Sequence, residues 1–128
     1  MVNKDKVALA ACSGMSPYGL IARVASTDTV SEMDNIISIC MGATAADKEG
    51  FGQLIKKYPI IAINGCEGNC VNKILEQKGV KVLTSLNTLE ELTKVNLQPE
   101  DVSRLDETGE KCVKHLKKEI KKRINEIG

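Results

Sequence analysis

Four of the five cysteines in this 128-residue chain stand in related settings. Cys12, Cys40 and Cys66 each close a short apolar run and precede a loop of small residues, and Cys70 follows Cys66 after Glu67-Gly68-Asn69. Thiolates are soft metal ligands and nucleophiles. Four of them around one point would suit a closed tetrahedral zinc site, with Zn–S near ~2.3 Å, or an iron–sulfur cluster. A zinc ion ringed by four sulfurs has no position left for water, so such a metal would be structural, carried or sensed rather than hydrolytic. The same residues also admit an enzyme of thiol or sulfur chemistry. In that reading Cys66 or Cys70, at a helix start that favours the thiolate, is the nucleophile, and another strand-end cysteine resolves a disulfide or carries a persulfide.

The apolar pattern says what must hold these thiols in place. Lys6-Val-Ala-Leu-Ala-Ala-Cys12, Asn35-Ile-Ile-Ser-Ile-Cys40 and Tyr58 to Cys66 read as buried strands, with a fourth over Val80–Leu86. Between them, Pro17 with Ser16 as N-cap opens a helix carrying Leu20, Ile21, Val24 and Ala25, and the polar Ser26–Asn35 stretch returns the chain. Thr44–Lys57 predicts one helix weakened by Gly50 and Gly52, and Val71–Lys78 another closed by Gly79. Continuous apolar strands alternating with helices predict an α/β fold: a three-layer, Rossmann-like, mostly parallel sheet of about four strands with helices on both faces. In such a sheet the carboxyl ends of the strands share one edge, where ligands bind, so the strand-end cysteines meet there.

The tail predicts a short helix capped by Asn87 or Thr88, a turn beginning at Gln98-Pro99-Glu100-Asp101, and an amphipathic helix from Asp106 to Ile127 with Val113, Leu116, Ile120, Ile124 and Ile127 on one side. At roughly 150 residues per domain the whole chain, 1–128, reads as one domain. Its α/β core covers about 5–86, and a helical C-terminal extension about 87–128.

Three segments carry a family likeness: Ala11-Cys-Ser-Gly14, Ile39-Cys-Met-Gly42 and, above all, Ile63-Asn-Gly-Cys-Glu-Gly-Asn-Cys-Val-Asn-Lys-Ile-Leu-Glu76. From about Val7 to Val82 the chain resembles the DGC-domain family, described as zinc-binding and named for a central Asp-Gly-Cys motif with four cysteines able to chelate a metal. The resemblance implies Cys12, Cys40, Cys66 and Cys70 as ligands. It departs at Asn64, which stands where the family has aspartate and removes a carboxylate from the edge. A second departure is the loop Met41-Gly-Ala-Thr44, less glycine-rich than the family's.

Other residues read more plainly. Cys112 falls on the apolar stripe of the last helix and reads as a core thiol. His115, the one histidine, reads as a surface or packing residue. Lys111, Lys114, Lys117, Lys118, Lys121, Lys122 and Arg123 make that helix basic, either as a solvated face or as a contact for phosphate or an acidic protein partner. Cys12-Ser13-Gly14-Met15-Ser16 leading into a helix could cradle an anion, without a full phosphate-loop pattern. Glu67 and Asn69 read as turn formers or as groups that tune the site.

A net charge of +1 and 2% aromatic residues argue against nucleic-acid binding, which needs a cationic field or exposed rings. The longest apolar run is far short of a membrane span. Leu9-Ala-Ala-Cys12 mimics a lipoprotein cleavage site, but the stretch before it is too short and Asp5 spoils a basic start. An odd number of cysteines and no secretory signal predict the reducing cytoplasm.

Overall fold

The structure, a computed structural model, describes residues 6–12, 16–65, 68–101 and 105–127. The chain runs β1 (Val7–Ala11), α1 (Pro17–Glu32), β2 (Ile36–Ile39), α2 (Met41–Ala45), α3 (Phe51–Lys57), β3 (Ile60–Asn64), α4 (Cys70–Gln77), β4 (Thr84–Asn87), α5 (Thr88–Thr93) and α6 (Glu107–Ile127). The strands pair in parallel in the order β2-β1-β3-β4, giving an α/β fold.

Strand side chains alternate between two cores, as period-two geometry demands. Val7 and Leu9 of β1 and Ile61 and Ile63 of β3 face a cluster built with Ile21, Ala22 and Ala25 of α1, Leu92 of α5 and Val113, Leu116 and Ile120 of α6. Ala8, Ala10, Ile60 and Ala62 face the opposite cluster, with Met41 of α2, Ile55 of α3 and Val71 and Leu75 of α4. Burial on both faces explains why β1, and β3 as far as Ile63, are continuously apolar rather than alternating.

Several boundaries differ from the sequence reading, each for a local reason. The α1 helix continues through the polar stretch to Glu32. Thr27 and Thr29 donate their hydroxyls to the carbonyls of Arg23 and Ala25, both at 2.8 Å, so these side chains are satisfied without leaving the helix. The single helix expected over Thr44–Lys57 is two, because Asp47 (φ 58°) and Gly50 (φ 89°) take left-handed backbone that a helix cannot continue through. The fourth strand starts later than Val80. That residue's N–H goes to the Leu75 carbonyl (2.9 Å) after left-handed Gly79, closing α4, and only from Leu83, bonded to the Ile60 carbonyl (2.8 Å), does the chain join the sheet. Gln98 to Asp101 forms no helix.

The α6 helix packs on α1 through Cys112, Val113, Leu116 and Ile120, all buried. Ion pairs border this seam: Lys117 lies 2.8 Å from Glu32 and 3.4 Å from Asp28, and Lys121 2.8 Å from Glu32. Hydrogen bonds from Lys117 and then Lys121 lower the Glu32 pKa from 4.5 to about 2.

Two expectations follow for this seam. Leu116→Ala, which empties a site on α6 with no exposed surface, lowers unfolding free energy by about 2–5 kcal/mol in chemical denaturation. If α6 did not pack on the sheet in solution, that loss would be absent. Because the folded-state pKa of Glu32 lies below its unfolded value, its contribution is complete above about pH 4.5 and fades as pH falls toward 2. Glu32→Gln therefore flattens the acid limb of the stability–pH curve in that window, and added salt shrinks the difference because the carboxylate is solvent-exposed.

Candidate metal centre

The strand register brings the cysteine-bearing ends together. Ala10 pairs with Ile39, Ala11 with Ile63, and Asn64 with Asn87. One residue further on, Cys40 follows β2, Cys12 follows β1, and Gly65 and Thr88 stand beside each other past β3 and β4. From β1 the chain goes first to β2 on one side and later to β3 on the other. The topological switch point, where doubly wound sheets open a crevice, therefore lies between the loops after β1 and β3. These are the loops of Cys12 and Cys66.

Cys12, partly buried, sits at this switch point and touches both cores. Its N–H donates to the Ile63 carbonyl at 2.9 Å. A Cβ on Gly65 would fall 3.2 Å from Cys12 Sγ and 3.0 Å from the backbone of Gly19 in the first turn of α1. Only a glycine lets α1, β3 and the Cys12 sulfur approach this closely.

Cys40 and Cys70 are exposed at the starts of two neighbouring helices. Cys40 is the N-cap residue of α2 and Cys70 the first residue of α4, and the two helices pack against each other. At their other ends Lys78, the C-cap of α4, bonds to the Ala45 carbonyl (3.4 Å) and to the Asp47 carboxylate (2.5 Å). The two helices thus run side by side with their cysteines at the same end.

The start of α4 is held by Asn64, a role the sequence reading missed. Asn69, left-handed at φ 50°, occupies the N-cap position without a side-chain cap. Instead the buried Asn64 reaches from the end of β3, its Oδ1 accepting the N–H groups of Val71 (3.1 Å) and Asn72 (3.4 Å). Its Nδ2 donates to Asn72 Oδ1 and to the Leu86 carbonyl (3.5 Å). A carboxylate at 64 could accept the same two N–H groups but would have nothing to donate to Leu86. Asn87 of β4 donates to Asn69 Oδ1 at 3.0 Å and caps α5 by accepting from Glu90 N–H at 3.1 Å. An asparagine ending an otherwise apolar strand was the available sequence signal.

Cys66, Glu67 and the Ser13–Met15 loop lie outside the described residues. Among the described residues Cys12, Cys40 and Cys70 share one edge, but no three cysteine, histidine or acidic side chains converge closely enough to hold a metal. Cys112 is fully buried in α6, where burial first and the Asp106 carboxylate second push its thiol pKa up, as suits a core thiol. His115 is half-buried on the same helix.

The DGC domain family model matches residues 8–115. The match runs past the cysteine contexts into the first half of α6. Searches of curated proteins and of solved structures returned no match.

Asn64→Ala leaves the first turn of α4 uncapped and Asn72 without its partner, and costs about 1–3 kcal/mol in denaturation. Gly65→Ala, whose methyl meets backbone at 3.0 Å, destabilises the fold and alters the reaction rate of Cys12 with a thiol probe. An unchanged rate at full stability would mean that the packing of α1 on β3 is looser than described.

Proposed function

The chain belongs to the DGC-domain family, and from that premise we propose that it is a small metal-binding protein whose ligands are Cys12, Cys40, Cys66 and Cys70, with zinc as the metal. The observation that carries this reading is positional. Three of the four cysteines stand at the carboxyl edge of the parallel sheet, one at the switch point and two at adjacent helix starts. The fourth, Cys66, follows the last residue of β3 by two positions in the sequence.

The donor set fits the metal. Sulfur ligands suit zinc and iron–sulfur clusters and suit magnesium or calcium poorly. Gly65 brings the backbone that leads to Cys66 close against the Cys12 sulfur. The Thr88 hydroxyl is buried at the same edge, just past β4, and has no hydrogen-bond partner among the described residues. Zinc bound by four thiolates would supply cross-linking of the loops or transfer of the ion, rather than activation of water. The chain's own residues set the frame: Asn64 fixes the start of α4 and hence Cys70, and the Gly65–Gly19 contact fixes Cys12 against β3. A reducing compartment, the cytoplasm, keeps such thiols available.

Protein purified anaerobically without added metal should carry about one zinc per chain by elemental analysis and no visible absorption. Each of Cys12→Ser, Cys40→Ser, Cys66→Ser and Cys70→Ser should lose zinc, while Cys112→Ser retains it. Iron with acid-labile sulfide and a broad visible band would replace zinc with a cluster. Absence of metal, with fast alkylation confined to two cysteines, would overturn the metal reading in favour of thiol or persulfide chemistry, for which Cys40 and Cys70 on touching helices are the exposed pair.

A further inference from the structure

The α6 helix carries seven cations against four carboxylates in a chain whose formal net charge is +1. Its lysines form two rows. Lys117 and Lys121, the inner row, are neutralised by Asp28 and Glu32 of α1. Lys114, Lys118 and Lys122, the outer row, are exposed and form no ion pair among the described residues. They recur every four residues, so their stems rise about 6 Å apart along one stripe. Both rows line a shallow, open groove of about 920 Å³, together with Glu32, Asn125 and Glu126.

We propose that this outer lysine row is a docking surface for an acidic helix of a partner protein, laid along α6 in the groove. Carboxylates at every fourth residue of a helix repeat at the same ~6 Å rise as the lysines and can pair with them one for one. The lysine stems give the groove a mostly aliphatic lining on which a helix can also pack apolar side chains. A phosphodiester backbone fits less well. A sugar–phosphate chain has no apolar side chains to lay on the aliphatic lining, whereas a helix has. The chain also offers few rings on which bases could stack. The surface lies on α6 and α1, while the cysteine edge belongs to the strand ends, α2 and α4, so this inference stands whether or not metal binds.

The test uses the full chain and a fluorescein-labelled helical peptide with glutamate at every fourth position, read by anisotropy at low salt. Saturable binding that falls by about tenfold or more in the Lys114→Glu, Lys118→Glu, Lys122→Glu triple variant is expected. The control reverses three exposed lysines on the other side of the sheet, Lys48→Glu, Lys56→Glu and Lys57→Glu, an identical change in net charge. It should leave binding within about twofold, with circular dichroism confirming that both variants fold. No binding, equal weakening by the control, or displacement of the peptide by duplex DNA at lower concentration would each overturn the proposal.

Discussion

The pairing of β1 with β3 at the middle of the sheet is the constraint on which the rest depends. Both strands are covered on both faces, so neither has a side on which a polar residue costs nothing. The solution is an asymmetric filling. Large side chains, Leu9, Ile61 and Ile63, face the α1 and α6 side, while on the other side Ile60 stands among alanines at 8, 10 and 62, which let the smaller α2–α4 layer approach. Thin packing on that side is what lets two short helices run side by side with Cys40 and Cys70 at their starts. Polar atoms are deferred to the end of the strands, where Asn64 is the first and is fully used.

Much of this was legible in the sequence. The apolar runs ending in Cys12 and Cys40 gave strands whose ends do lie side by side, and Ser16 with Pro17 opens α1 as its cap chemistry requires, with Gly19 N–H donating to Ser16 Oγ at 3.0 Å. Cys112 sits in the core, and the match to the family extends over most of the chain. What escaped was set by tertiary contacts. Nothing local tells that Ser26 and Thr29 remain helical under α6, since their propensity favours leaving the helix. Left-handed Asp47 breaks a helix whose apolar period would carry it through, and residues 80–83 serve as the closure of α4 before they serve the sheet.

The asparagines show the limit of reading residues by chemical type. Asn64 looked like a missing carboxylate. In the fold it is a hinge between β3, α4 and β4, spending its acceptor on two helix N–H groups and its donor on a side chain and a strand carbonyl. Asn69 and Asn87 extend the linkage to the start of α5. The cysteine edge is thus braced by neutral amides, which add no charge of their own beside the sulfurs.

Asn64 and Gly65 also make up the dipeptide most prone to spontaneous deamidation in a loose chain, because the glycine nitrogen meets little obstruction in attacking the amide carbon next to it. Inside the fold that attack is held off. The carboxamide is pinned by its hydrogen bonds, and the backbone is extended in a strand paired on both sides. The ageing of this edge is therefore governed by how often β3 opens rather than by how long the protein exists. Each lapse in folding puts at risk the one side chain that the start of α4 leans on, and leaves behind an acid, or a lengthened backbone, where a neutral brace had been.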